Sequence, residues 1–169
     1  MDETKERSFL LVAAVVLPSD LIRARRTVRS LVLPHQRRIH FHKERDDRRR
    51  QIVTAITTIG VQATVFDAVG HRTTKAARDA CLAGLVEYAA KTSAARLVIE
   101  RDDSTLKADQ RLLFDEVRRA GIAGQLRYDH LKAHEECLLA IPDALAWCWA
   151  RGGHWRTAVR AVVTESHRV

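Results

Sequence analysis

Acidic residues at three separate positions are the side chains best placed for chemistry. Asp2 and Glu3 precede an unbroken apolar run, Glu100 ends a short apolar segment, and Asp143 interrupts the apolar stretch 138–147. A carboxylate that faces a protein interior is costly unless it is paired or bound to a cation. An acid at a strand end beside an acid on a facing helix supplies the oxygen ligands that hard cations require. The pattern therefore suggests a divalent-cation site.

Each acid also has a simpler interpretation, which the sequence leaves open. Asp143 follows Pro142 and suits the first turn of a helix, where a negative charge interacts favourably with the helix dipole. Glu100 could instead pair with one of the many arginines of the chain. Asp2 could be a solvated residue near a chain end.

The segments that must position these acids alternate between strand-like and helix-like patterns. Apolar or alternating runs predict strands at 9–17, 61–69, 96–100 and 125–130. Apolar residues at helical spacing predict helices at 21–34, 46–60, 74–91 and 107–120, and from 138 onward with a break at 152–153.

The predicted strands differ in their surroundings, and together they indicate a fold class. The unbroken run 9–17 predicts a strand buried on both faces, whereas the alternation in 61–69 predicts a strand with unlike faces. Strands that alternate with helices indicate an α/β protein with a mixed sheet covered on both faces. The length fits a single domain over 1–169.

The charge balance points to a polyanionic partner. Lysine and arginine number 29 against 21 acidic residues, a formal net charge of +8. Such a surplus attracts nucleic acid, an anionic membrane or acidic proteins. Aromatic residues form only 5% of the chain, which argues against a base-stacking platform for single strands. No apolar run is long enough to span a bilayer and 1–8 lacks a signal-peptide pattern, so we expect a cytoplasmic protein without membrane contact.

Other candidate motifs are less specific. His40 and His42 could form half of a zinc site, but no thiolates lie nearby in the sequence and four ligands are needed. A mixed-charge run such as 43–50 is usually a solvated helix start. Its less common use as a phosphate-contact patch would involve Arg45, Arg48 and Arg49. P-loop, GxGxxG, GxSxG and HExxH motifs do not occur, which argues against the enzyme classes that use them.

Four short segments, in order along nearly the whole chain, resemble one family. Asp2–Thr4 is similar to the opening Asp-Glu-Ser-Gly motif of the domain-of-unknown-function 3800 family of bacteria and phages. Arg38–Phe41 resembles the His-containing stretch of that family, and Leu97–Glu100 resembles its acid-terminated strand. Leu139–Ala146 is similar to its closing Leu-Gln-x-Ala-Asp-x-x-Ala segment, with Ala140 and Pro142 as departures.

The resemblance implies a three-layer ribonuclease-H-like α/β fold, in which helices flank a mixed central sheet. It implies a nuclease-like site in which Asp2, Glu100 and Asp143 bind Mg²⁺ or Mn²⁺, with Glu3 and His40 as supporting residues. His40 is also a catalytic candidate, because a histidine relays protons near neutral pH. Asp103 is a further supporting acid, close to Glu100 in the sequence.

Two hypotheses for function follow from these observations. The first is a metal-dependent nuclease that acts on RNA or DNA and holds the phosphate backbone on its basic surface. The second is a non-catalytic module that binds nucleic acid or protein and keeps the fold without a working metal site. A homo-oligomer is compatible with either.

Overall fold

The computed structural model describes residues 9–169, and the predicted alternation of strands and helices is present in them. The strands are β1 (Phe9–Val15), β2 (Gln62–Ala68), β3 (Arg96–Glu100), β4 (Arg127–Leu131) and β5 (Val163–Arg168). The α-helices are α1 (Leu21–Ser30), α2 (Asp46–Ile59), α3 (Thr74–Lys91), α4 (Leu106–Arg119), α5 (Ala140–Arg151) and α6 (Gly153–Val159). Asp2 and Glu3 lie outside the described residues.

The strands are mixed in direction, as expected, but their hydrogen bonds define two sheets within the described residues. In the larger sheet β2 is central, antiparallel to β1 and parallel to β5. In the smaller sheet β3 and β4 run parallel. The chain is therefore an α/β protein. In the part of the chain that is described, β1 is paired with β2 alone and β3 with β4 alone.

Helices cover both faces of the larger sheet. On one face, β1 and β2 side chains such as Val12 and Val65 pack in a buried cluster with residues of α1, α2, α5 and α6. On the other face, Phe66 and Ala68 pack with α3 and α4, and Ile99 of β3 joins the same cluster. This arrangement of helix, sheet and helix is compatible with the three-layer architecture expected from the sequence.

Helix boundaries follow the local signals in the sequence. Gly60 ends α2 in the left-handed conformation (φ 84°), which is accessible to glycine because it has no Cβ. The side-chain oxygen of Thr73 accepts a hydrogen bond from the Ala76 amide and caps α3. The predicted break after α5 is confirmed, since α5 ends at Arg151 and α6 begins at Gly153.

Three predictions about the strands were wrong. The run 9–17 was expected to form a strand buried on both faces, but Val12 is the one buried residue of β1 and its other residues are partly exposed. The 61–69 segment was expected to have unlike faces, but Thr64 and Phe66 are both almost completely buried, because helices cover both sides of β2. The segment from 138 onward was expected to be helical apart from its break, but Val163–Arg168 forms the strand β5, whose mostly exposed polar side chains show no alternation of apolar residues. Parallel pairing with the buried strand β2 places it in the sheet.

All three cysteines are free thiols: Cys81 and Cys148 are buried, and Cys137 is partly exposed. Over residues 9–169, every helix is too short or too polar to cross a lipid bilayer.

The packing of β2 against α3 is testable by mutation. Phe66 is 1% exposed, and its replacement by alanine removes a large apolar group and leaves a cavity. We therefore expect Phe66→Ala to lower the free energy of unfolding by about 3–5 kcal/mol. The exposed Gln62 of the same strand is the control, and Gln62→Ala should change stability by less than about 0.5 kcal/mol. Urea denaturation followed by circular dichroism measures both, and equal losses would contradict this packing.

Candidate active site at the Glu100–Asp143 cavity

Two of the three acids singled out in the sequence meet at one cavity. Glu100 ends β3, Asp143 lies in the first turn of α5, and both line a cavity of about 200 Å³. The same cavity is lined by Val28 of α1, by Val32 just after that helix, and by Ile39. A site that could serve chemistry therefore forms where β3, α1 and α5 approach one another.

The start of α5 is held by a partly buried ion pair with α1. The Glu136 carboxylate accepts hydrogen bonds from the Arg25 guanidinium at 2.7 Å and from the Leu138 amide at 3.1 Å. The arginine and that amide keep the pKa of Glu136 below its ordinary value, although burial acts in the opposite direction. The turn before α5 is thereby fixed to α1. Pro142 is tolerated because it lies in the first turn of the helix.

A second set of contacts fixes the His40–Lys43 segment next to Asp143. Phe41 is fully buried, with its ring 5.4 Å from that of Trp147 on α5. The Arg49 guanidinium donates to the backbone oxygens of Phe41 at 3.1 Å and of His42 at 2.7 Å. The same guanidinium lies 4.3 Å from the Trp147 ring centroid, a favourable cation–π distance.

The pKa of Asp143 is affected by its surroundings in the protein and by a second carboxylate nearby. Burial by the surrounding protein raises the pKa of Asp143, and the negative charge of Glu100 raises it further. His42, Arg38 and the backbone amide of Phe41 act in the opposite direction but do not cancel these effects. Asp143 is nevertheless an exposed residue by its surface area, so solvent moderates the effect of burial on its pKa. An added cation at this position would favour the ionised carboxylate.

Arg38 already supplies part of the positive charge that the two carboxylates need. Its guanidinium donates to Glu100 at 2.9 Å, with Arg38 35% and Glu100 49% exposed. The alternative in which Glu100 pairs with an arginine is thus realised in this structure. Because both partners are substantially exposed, the pair contributes little stability and can separate when another cation or a ligand competes.

His40 has the electrostatics of a proton acceptor. Partial burial lowers its pKa, and the positive charges of Arg38 and Lys43 lower it further, against a smaller opposite effect of Asp143. His40 is therefore largely neutral at neutral pH, with a ring nitrogen able to accept a proton. His42 is exposed, and the centroids of the two rings lie 6.4 Å apart.

None of the remaining predicted residues in the described part of the chain, His40 included, lines the cavity. Asp103 forms an exposed ion pair with Arg101 at 2.6 Å. Arg48 donates to the backbone oxygen of Leu31, and the three nitrogens of Arg49 all donate to acceptors within the protein. Among the three candidate phosphate contacts, Arg45 is the exposed one.

The cavity contains four further residues that sequence reasoning did not single out: Arg29, Arg37, His134 and Cys137. Arg37 and Arg38 adjoin the His40 motif, so their position in the sequence was a usable signal. Arg29 belongs to a helix rich in arginine, and nothing in the sequence distinguishes it from its neighbours. His134 and Cys137 follow β4 in a segment without hydrophobic periodicity.

From Phe9 to the last residue, no group of three or more histidine, cysteine, aspartate or glutamate side chains is arranged to hold a metal ion. The half zinc site at His40 and His42 thus has no completing ligands there. No protein-family model, curated protein or solved structure matches the chain. The chemistry of the cavity is therefore argued from its own geometry.

The raised pKa of Asp143 predicts a pH-dependent stability difference. With a folded pKa above the unfolded one, protonated Asp143 favours the folded state, and that contribution is lost as the pH rises through the folded pKa. Asp143→Asn should therefore be more stable than the wild type at pH 7 in a chelator. The difference should vanish as the pH falls below 3.8, the ordinary value of the aspartate pKa.

Asp47→Asn is the matched control, because Asp47 is an exposed first-turn aspartate of another helix. It should not stabilise the protein at any pH, since it removes a favourable interaction with the dipole of α2. Chemical denaturation between about pH 3 and pH 8, a range that extends from below the ordinary carboxylate pKa of about 4 to above neutrality, measures both. Equal stability of Asp143→Asn and wild type at pH 7 would contradict the assignment.

Proposed function

We propose that the chain is a metal-dependent nuclease of ribonuclease-H-like fold that hydrolyses phosphodiester bonds in RNA or DNA. The observation that carries the proposal is the convergence of Glu100 and Asp143, from distant parts of the sequence, on one cavity. The resemblance of four sequence segments to the domain-of-unknown-function 3800 family supports it. The mixed α/β architecture with helices on both faces is compatible with it.

The two carboxylates fit a hard divalent cation. Mg²⁺ is commonly bound by one or two carboxylates together with water and substrate phosphates, and does not need an all-protein cage. Glu100 and Asp143 would bind the ion, and Asp2, outside the described residues, is the expected third ligand. A bound Mg²⁺ or Mn²⁺ polarises a phosphodiester and activates water. Burial and then the charge of Glu100 raise the pKa of Asp143, and a cation bound beside it would favour its ionised form.

Arg29 and Arg37 in the cavity, and His40 outside its lining, are available for phosphate binding and proton transfer. Arg29 and Arg37 line the cavity, and neither has a carboxylate partner among residues 9–169. Their guanidinium groups can donate to phosphate oxygens in the planar, paired geometry that arginine favours. The neutral imidazole of His40 can accept a proton close to Asp143. The net charge of +8 favours contact with the backbone without selection of sequence.

A second candidate function is a non-catalytic nucleic-acid-binding or protein-interaction module. The observation that favours it is the Arg38–Glu100 ion pair, which neutralises one carboxylate without a metal ion. In that case the cavity would bind a phosphate group through its arginines, and divalent cations would have no effect. The two functions therefore differ in the response to Mn²⁺.

The nuclease proposal is tested by a digestion panel of single- and double-stranded RNA, DNA and hybrid with Mn²⁺ or Mg²⁺. We expect the wild type to cleave at least one substrate. Glu100→Gln and Asp143→Asn should lower kcat by roughly 100-fold or more, since each removes charge that holds the ion. Asp47→Asn should keep full activity. No metal-dependent cleavage of any substrate, or full activity of Asp143→Asn, would contradict the proposal.

The competition between Arg38 and a divalent cation is tested separately by isothermal titration with Mn²⁺ in the absence of nucleic acid. Arg38→Gln should bind Mn²⁺ about 2- to 5-fold more tightly, the range of one exposed ion pair. Arg37→Gln removes a cation from the same cavity without breaking an ion pair, so its effect should be smaller. Unchanged or weaker Mn²⁺ binding by Arg38→Gln would show that Glu100 is not a ligand.

A further inference from the structure

A second polar surface lies on the outward face of α4. Lys107, Arg111, Phe114 and Arg118 recur every three or four residues and, with Gln110 beside Arg111, form one stripe along the helix. The opposite side of α4 is buried, through Leu113 and Val117. Together with Tyr128 of β4 and Asp115, four residues of the stripe line an open depression of about 550 Å³: Lys107, Gln110, Arg111 and Phe114.

Phe114 is exposed without an evident structural reason. Its exposed fraction is 51%, and it is the only exposed large aromatic side chain within residues 9–169. The Arg118 guanidinium lies 4.7 Å from the centroid of its ring, so one part of the ring is covered by a cation. The exposed part is a flat apolar surface, open to the depression, on which another flat group can stack.

The charges around Phe114 are mainly positive. The acids Asp109 and Glu116 of α4 are buried and pair with Arg78 at 2.8 Å and Arg119 at 2.9 Å, respectively. The cations of the stripe have no carboxylate partner in the described chain, and Asp115 is the one acid beside them: Lys107, Arg111 and Arg118. The face therefore combines an exposed aromatic ring with unpaired positive charge.

We propose that this face of α4 binds single-stranded nucleic acid. A base stacks on Phe114, and Lys107 and Arg111 contact the phosphates on either side of it. The amide of Gln110 and the carboxylate of Asp115 lie in the same depression, where they can form hydrogen bonds with the base edge. Stacking on an aromatic ring between cations is the usual way in which proteins hold single strands.

The charge and composition of the face disfavour the other occupants. A second copy of the chain on a two-fold axis would bring equal positive charges together, which opposes association. A membrane-binding helix presents several large apolar side chains, whereas the face carries Phe114 alone. The proposal does not depend on the Glu100–Asp143 cavity, because it concerns binding and needs no metal ion.

The test is fluorescence anisotropy with a labelled single-stranded oligonucleotide and the full chain, in a chelator so that no cleavage can occur. Phe114→Leu keeps an apolar side chain but removes the ring, and it should weaken binding roughly 5- to 100-fold. Arg111→Gln should weaken binding and reduce the slope of log affinity against log salt by about 0.7. Ile22→Ala on α1 and Arg160→Gln just after α6 are exposed controls and should bind as the wild type does.

Unchanged affinity of Phe114→Leu, or equal losses in the two controls, would overturn the proposal. So would preferential binding of the wild type to anionic vesicles. A Phe114-dependent dimer, seen by light scattering, with unchanged oligonucleotide affinity would assign the face to a second copy instead. Because the readout is binding in a chelator, inactivity of the Glu100–Asp143 cavity would leave this result unaffected, and the two failures are distinguishable.

Discussion

The repulsion between two carboxylates that share one small cavity is the constraint on which this site depends. Burial raises the pKa of Asp143, and the nearby charge of Glu100 raises it further. A positive charge beside the two acids therefore favours their ionised forms. Arg38 supplies it in this structure through an exposed ion pair, which a divalent cation or a ligand can displace. Either the Arg38 guanidinium or a divalent cation can thus lie beside Glu100.

The position of this cavity is set by contacts that involve neither acid. Arg25 and Glu136 fix the turn before α5 to α1, and Arg49 holds the His40–Lys43 segment against Trp147. Two arginines of a basic chain therefore serve to build the site, not to bind a partner. The net charge overstates how much positive surface is available to nucleic acid, because many guanidinium groups already have acceptors within the protein.

Much of the fold and part of the site could be predicted from the sequence. Apolar periodicity located the helices, and β3 was found because an apolar run ends at Glu100. Glu100 and Asp143 were found because a carboxylate next to apolar residues is unusual.

β5 was missed because most of its side chains are exposed, and its pairing with β2 is a tertiary property. The choice of Arg38 as partner depends on three-dimensional distance, and 29 basic residues offer too many alternatives. The exposed position of Phe114 was not foreseen, because the aromatic fraction of the whole sequence does not show where a single ring lies.

The most direct test of the central claim is anomalous diffraction from crystals of the protein soaked in Mn²⁺. We expect one strong anomalous peak in direct contact with the side-chain oxygens of Glu100 and Asp143, with the Arg38 guanidinium moved away from Glu100. An intact Arg38–Glu100 ion pair with no peak in the cavity, at Mn²⁺ concentrations that support any activity, would contradict the account. The cavity would then be a site for anions only.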